Sequence, residues 1–379
     1  MSCFEIGPIR PPSEAESILL RLTRNCHWNK CAFCPVYKGT QFSMRKVGEI
    51  KADIDTMSSI AERIYSELKR RYPDRADNTP VVRIMKEIDF GPGIDQGCAR
   101  QVAFWIYHGM RSLFLQDADA LVLKNNDLVE ILNYVREKFP TIERITTYSR
   151  AQTVCRKSLE ELALLRAAGL NRIHIGMESG SDEVLVLVNK GVTGEEQIRA
   201  GRSLIDAGFE LSEYFMPGLG GKALSRENAI ESARVLSAVN PTFIRIRSTV
   251  PVPGTPLYDM MPDRWVPLSE EEKVRELRLF IENLSGVTST VQSDHIMNLL
   301  EDVSGELPRD RELMLAVMDQ FLAMDTDDRE SFIVGRRIGR YRVLADYVPV
   351  PDVEAIKREL KERFGSVEKG VLEILANFI

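Results

Sequence analysis

The sequence predicts an α/β fold: a partial (βα)6 TIM-like barrel of parallel strands with a helical C-terminal cap. Three observations carry this. Short β-branched or apolar runs alternate six times with amphipathic runs of helical spacing between residue 17 and about residue 250. Helix boundaries carry chemical start and stop signals. The alternation ends at Pro251-Val252-Pro253-Gly254-Thr255-Pro256, after which the spacing is helical. Repeated strand–helix units imply parallel strands with right-handed crossovers, and six units suggest a barrel that does not fully close.

In chain order, strands are predicted over 17–24, 112–117, 142–149, 171–178, 209–217 and 242–249, and helices over 46–72, 125–138, 158–168, 182–189, 194–207 and 224–239. The first strand rests on Ile18-Leu19-Leu20-Arg21-Leu22. Ser158 with Glu161 forms a capping box ahead of Leu159, Leu162 and Leu165. Gly169 and Gly208 follow helices, where a left-handed residue is needed. Residues 73–111 interrupt the rhythm with Gly91-Pro92-Gly93 and an aromatic run from Val102 to His108, and read as an insertion. Residues 265–379 read as helices broken at Pro308 and at Pro349 to Pro351, with no further strand. The expected domains are an extension over 1–16, the partial barrel over 17–260 and a helical domain over 261–379.

With 379 residues, 44% hydrophobic and 28% charged, the composition is that of a globular protein. A formal charge of −6 argues against a general nucleic-acid binder. No apolar stretch approaches the ~18 residues of a membrane span, and Met1 to Ser17 lack the apolar core of a signal peptide. Six cysteines in a chain of this size suggest a reducing, cytoplasmic setting and favour metal or catalytic roles over disulfides.

Three of those cysteines, Cys26, Cys31 and Cys34, sit in one loop after the first strand. Structural zinc wants four ligands, usually as two pairs. Here Cys3, Cys98 and Cys155 are scattered, and His27 is a poor fourth ligand beside Cys26. A ferredoxin-type carrier needs four cysteines per cluster. Three thiolates fit better a four-iron cluster whose fourth iron stays open. A non-catalytic iron–sulfur or zinc protein remains the alternative.

The loop resembles that of the radical S-adenosylmethionine (SAM) enzymes, which carry Cys-x3-Cys-x2-Cys after the first strand of a partial (βα)6 barrel, with an aromatic residue before the last cysteine. This chain has Cys-x4-Cys-x2-Cys, one residue longer, with Phe33 in the aromatic place. The resemblance extends over about 17–260. Ile175-Gly176-Met177-Glu178-Ser179-Gly180, running on to Asn189-Lys190-Gly191, is similar to the fourth-strand segment of the branch holding methylthiotransferases, the elongator catalytic subunit and oxygen-independent coproporphyrinogen oxidase. Phe215-Met216-Pro217-Gly218-Leu219-Gly220-Gly221 and Pro253-Gly254-Thr255-Pro256-Leu257-Tyr258 resemble that branch's fifth-strand turn and the segment after its sixth strand.

The resemblance implies a [4Fe–4S] cluster on Cys26, Cys31 and Cys34, with S-adenosyl-L-methionine on the open iron. One-electron reduction would cleave the sulfonium and yield a 5′-deoxyadenosyl radical that abstracts hydrogen; the cofactors supply the difficult step. It further implies an electron donor such as ferredoxin or flavodoxin, and these SAM contacts: Phe33 against the adenine, Glu178 on the ribose hydroxyls, Lys190 on the SAM carboxylate, and Ser149, Arg150 and Glu213 facing the cofactor. Many members bind the SAM amino group with a Gly-Gly-Glu-like turn after the second strand. That place here reads Gln116-Asp117-Ala118-Asp119, so only the position, Asp117, carries over.

Strand parity adds an inference independent of the family. Arg172, His174 and Glu178 share one face of the fourth strand, and Arg245 and Arg247 one face of the sixth. Buried parallel strands usually read as continuous apolar runs, so a polar lumen holding an anionic substrate or the SAM carboxylate is expected, against mutual salt bridges as the alternative. Gly218 to Ala223 is read as a turn, since it lacks the residues of a phosphate loop. Gly335 to Arg342 is read as a solvated basic helix face. His295 in the helical part is expected to be structural. A second cluster is not expected, because only Cys3 precedes the loop; nor is a cysteine-rich extension, because no cysteine follows Cys155. No cobalamin domain fits ahead of the first strand. The expected activity is that of a single-cluster enzyme on a small, anionic molecule, without nucleic acid or membrane as partner; an RNA-modifying member is the alternative.

Overall fold

The computed structural model describes residues 3–88 and 94–376, so Gly91-Pro92-Gly93 of the expected insertion lies outside the described residues. The chain divides into two compact units interleaved along the sequence. One comprises Met1–His27, Gly39–His174 and Asp206–Phe209; the other comprises Trp28–Lys38, Ile175–Ile205 and Glu210–Ile379.

In the first unit, β1 (Ile18–Arg21), β2 (Ser112–Gln116) and β3 (Arg144–Ser149) run parallel, with Leu19 opposite Phe114 and Phe114 opposite Thr146, and the start of β4 (Leu170–Glu178) follows in order. Every residue of β2 is buried, as expected of a parallel strand covered on both faces. The helices are α1 (Val47–Arg71), α2 (Gln96–Tyr107), α3 (Asn125–Lys138) and α4 (Leu159–Ala167). They bury Ile54, Ile64, Trp105, Ile131 and Leu165. The Ser158–Glu161 capping box opens α4, and Gly169 and Gly208 are left-handed as anticipated. α2 lies in the expected insertion, capped by Asp95 and tied down by Trp105, whose Nε1 donates to the Ser112 carbonyl.

Two expectations are corrected in this unit. The first strand is shorter than 17–24, because after Arg21 the chain leaves the sheet and Thr23–Arg24 pairs antiparallel with Ser43–Met44. The cysteines are not all kept as thiols, since Cys3 and Cys98 form a disulfide, with Cα atoms 5.9 Å apart. The N-terminal segment is stitched across the sheet end. Glu5 accepts from Arg21 and Arg24, Gly7 N–H donates to Gln116 Oε1, and Gln116 Nε2 donates to the Ile9 carbonyl.

In the second unit the end of β4 is followed by β5 (Glu210–Phe215), β6 (Phe243–Ile246), β7 (Thr290–Gln292) and β8 (Gly305–Glu306). The β5–β6 and β6–β7 pairs are parallel and β7–β8 is antiparallel. Its helices are α5 (Asp182–Leu187), α6 (Gly194–Asp206), α7 (Ser225–Val239), α8 (Glu270–Asn283), α9 (Arg311–Ala323), α10 (Thr326–Arg337), α11 (Pro351–Phe364) and α12 (Val367–Ala376). Phe215 of β5 stacks on Phe280 of α8 at 4.1 Å.

Strands therefore do not stop after residue 260. β7 buries Val291 opposite Ile244, but three residues in a polar stretch leave no visible period. Gly335 to Arg342 is a solvated face only in part. Arg340 and Arg342 are exposed, but Arg337 is buried, ion-pairs with Glu270 and donates to the carbonyls of Ile296, Met297 and Asn298. Gly218 to Ala223 is a turn, as expected, and Lys222 pairs with Glu272 at 2.8 Å. Among the described residues no helix is long and apolar enough to cross a membrane.

Candidate functional site

In the first unit the site is built on the turn that leaves β2. Asp117 and Asp119 are both fully buried. A buried carboxylate is costly unless donors surround it, and both are surrounded. Asp117 Oδ2 accepts from Arg21 Nη2 at 2.6 Å, Arg21 Nε at 3.2 Å and the Asn25 backbone N–H at 3.0 Å. Asp119 accepts from Ser149 Oγ at 2.8 Å through Oδ1, and from Thr153 Oγ1 at 2.5 Å and His27 Nε2 at 2.9 Å through Oδ2. Asn25 is left-handed, with φ +68°, a conformation asparagine tolerates. Its Nδ2 donates to the Gln41 carbonyl, and the His27 ring meets Phe42 edge-on. Cys26 sits between these two anchored residues.

In the second unit the rest of the cysteine loop is pinned by backbone bonds. Ala32 N–H donates to the Val188 carbonyl, and Leu257 N–H donates to the Ala32 carbonyl. Ala32 is buried with Val184, Val188, Met216, Leu219, Leu257 and Trp265, and Phe33 packs against the same cluster. Cys34 N–H donates to the Cys31 carbonyl, so the two cysteines lie on one turn, and Lys38 Nζ donates to the Cys31 carbonyl at 2.9 Å. Cys26, Cys31 and Cys34 are half-buried and take no part in a disulfide.

β4 ends in Glu178, also left-handed, with φ +67°. Its side chain folds back over Gly176, where a Cβ would lie 2.2 Å from Glu178 Oε1, so only glycine admits this arrangement. Lys190 Nζ donates to Glu178 Oε1 at 3.1 Å and lies 5.8 Å from the Phe33 ring centroid. Glu213 of β5 is buried, and its Oε2 has no hydrogen-bond partner among the described residues. Burial first, and the Glu178 charge second, push its carboxyl well above the ordinary range, against the pull of Lys190.

The Met216–Gly221 turn is fixed from behind by Glu276 of α8. This buried carboxylate accepts from the Gly218 N–H at 2.9 Å, Asn228 Nδ2 at 2.7 Å and Ser225 Oγ at 2.5 Å. Asn228 Nδ2 also donates to the Met216 carbonyl, while Met216 N–H donates to the Glu178 carbonyl. Burial raises the Glu276 pKa to about 7. A mostly apolar cleft adjoins the turn, lined by Phe33, Pro35, Met216, Val250 and Met297 together with Cys34 and Arg247.

The expected residues thus fall into two groups. Phe33, Glu178, Lys190 and Glu213 come together in the second unit; Asp117, with Asp119 on the same turn, and Ser149 cluster in the first, where Arg150 is buried just after β3. Glu178 keeps the side of its strand that Gly176 faces, since a Cβ there would lie 2.2 Å from Glu178 Oε1. The parity reading is corrected in the sixth strand. Arg245 is buried, bonded to Ser212 and paired with Asp294 at 3.3 Å, whereas Arg247 lies past the end of β6 and is exposed. His295 accepts the Met297 N–H on Nδ1, and burial, aided by Arg247, lowers its pKa to about 4, in keeping with a structural role. Sequence reasoning missed Asp119, Arg21, Glu276 and Asn228. Nothing marks them: Glu276 stands in an acidic helical stretch, and the partners of Asp119 lie thirty and more positions away.

Comparison with known proteins gives a family. Residues 20–233, more than half of the chain, match the Radical SAM superfamily. The tRNA uridine(34) acetyltransferase of Methanocaldococcus infernus is 27% identical over 119 residues, 31% of this chain and 22% of that protein. The biotin synthase of Porphyromonas gingivalis is 27% identical over 183 residues, 48% of this chain and 51% of that one. The chain thus spans about a fifth and about half of these two relatives. Among solved structures, coproporphyrinogen III oxidase from Escherichia coli aligns with a TM-score of 0.44 and 16% identity, over 70% of this chain and 52% of that one. From the match over residues 20–233, the chain belongs to the radical SAM superfamily of enzymes.

Proposed function

We propose that Cys26, Cys31 and Cys34 hold a [4Fe–4S] cluster, and that the chain uses it to cleave S-adenosylmethionine reductively and abstract hydrogen from a small anionic substrate. The donor set fits: three cysteines outside any disulfide within nine positions, while Cys3 and Cys98 are spent on a disulfide. When bound, the cluster supplies the electron that opens the sulfonium, drawn from a donor such as ferredoxin or flavodoxin in a cytoplasmic setting.

The protein's share is positioning. The observation that carries the SAM reading is the grouping of Phe33, Lys190, Glu178 and Glu213 in one unit. Phe33 offers an apolar face to the adenine. Glu178 accepts from ribose hydroxyls. Lys190, already oriented by Glu178, meets the SAM carboxylate. Glu213 offers an orphaned buried oxygen that a ligand donor would satisfy. Arg150 is a further candidate contact from the end of β3.

The test is anaerobic reconstitution with iron and sulfide, then addition of SAM and dithionite. A brown protein that releases 5′-deoxyadenosine supports the reading; a colourless, zinc-loaded protein overturns it. A second reading, action on RNA, is favoured by the stretch shared with the tRNA uridine(34) acetyltransferase. Submicromolar, salt-dependent tRNA binding by the same preparation would select it over a small substrate.

A further inference from the structure

We infer that Asp117 and Asp119 are positioning residues for Cys26, one acting on each side of it, and that neither touches the nucleotide cofactor. The inference rests on the reading of Cys26 as a cluster ligand.

Asp117 holds the residue before Cys26, taking the backbone N–H of left-handed Asn25. Asp119 holds the residue after it, taking the His27 ring through Nε2. Both come from one three-residue turn, so the spacing of the two grips is set by the end of β2. Each grip is backed by other elements. Arg21 of β1 neutralises Asp117, and Ser149 at the end of β3 and Thr153 just beyond it fill the remaining acceptor sites of Asp119.

A carboxylate that binds the amino group of a ligand must keep an oxygen for it. Asp117 turns Oδ1 against Gly7, where a Cβ would lie 2.8 Å away, and its Oδ2 already accepts from Arg21 and Asn25. Both oxygens of Asp119 are occupied, and both residues are fully buried. Their chemistry is that of anchors. A metal ligand held at both flanking residues loses little entropy when it binds, and groups that orient ligands typically govern metal affinity about ten- to a hundredfold.

The experiment compares iron content, its survival under a chelator and the EPR spectrum of the reduced full-length protein, with and without SAM. The proteins are wild type, Cys26→Ala, Asp119→Ala, Asp119→Asn and His27→Phe. Asp117→Ala is left out of the deciding set because it also removes an ion-pair partner of Arg21. Asp119→Ala and His27→Phe are expected to lose iron about tenfold faster and to alter the reduced-cluster spectrum. In Asp119→Asn the amide can donate to His27 Nε2 in its other tautomer, so this variant is expected to keep iron near the wild-type level. The fraction of each variant that retains a cluster is expected to bind SAM normally. Wild-type iron retention in Asp119→Ala and His27→Phe overturns the inference, as does a defect confined to SAM binding. If Cys26→Ala itself keeps four irons and an unchanged spectrum, the ligand assignment has failed instead.

Discussion

Two places in the molecule treat their carboxylates in opposite ways. After β2, Asp117 and Asp119 are saturated by an arginine, a backbone N–H, two hydroxyls and a histidine. At the end of β4 the half-buried Glu178 accepts from a lysine, and within β5 the buried Glu213 keeps an oxygen that has no donor among the described residues, while the Glu178 charge works against its ionisation. Saturation makes a carboxylate part of the scaffold; leaving a buried oxygen short of donors costs stability that a ligand can return. The turn after β2 holds the chain, and the oxygen left over at Glu213 is where the ligand proposed above would gain most.

Four measurements can break or sharpen this contrast. Asp117→Leu should have the largest effect. It removes one of the two ion-pair partners that Arg21 has among the described residues, and the acceptor of the Asn25 N–H, and should cost about 3 kcal/mol in urea denaturation. A cost below about 1 kcal/mol would mean that the turn after β2 is not a scaffold. Glu276 comes next. Below pH 4.5 folded and unfolded chains both keep its proton; between 4.5 and about 7 the unfolded chain releases it and the folded chain does not. Its contribution to stability therefore falls across that window, by on the order of 3 kcal/mol, and is flat above it. Glu276→Gln should remove this slope and be the more stable protein at pH 8; a slope identical to wild type refutes the assignment.

Lys190→Met should weaken SAM binding about tenfold, or about 1.4 kcal/mol, while leaving iron content intact. Calorimetry on the reconstituted protein reads this, and lost iron would move Lys190 from ligand contact to scaffold. Glu213→Gln should do least to stability. The native carboxyl already prefers its proton, so at pH 5 the change should stay under about 1 kcal/mol by thermal melt. A larger loss would show that the orphaned oxygen has a structural partner after all.

The alternation of strands and helices through β6 was legible in the sequence because both periods are long and the caps are explicit, as at Ser158 and Gly169. β7 was not, since a three-residue strand offers no period to read. The cysteine loop, Glu178 and Lys190 were each marked by resemblance to family motifs, but the hydrogen bond from Lys190 to Glu178 was not. The grips on Cys26 were not, because hydrogen bonds from Ser149, Thr153 and Arg21 to one turn are products of strand register. Parity failed at Arg247 because the strand had already ended.

Arg337 has a consequence for the length of the chain. Burial drives the Glu270 carboxyl upward, yet the charges of Arg337 and Lys273 bring it down to about 2. Glu270 opens the same helix that presents Glu276 to the turn after β5. Cutting the polypeptide ahead of Arg337 would remove one of the two cations facing Glu270 and loosen the register of that whole helix. Arg337 is thus tied, through that helix, to the turn after β5, and a chain cut short of it would lose this support.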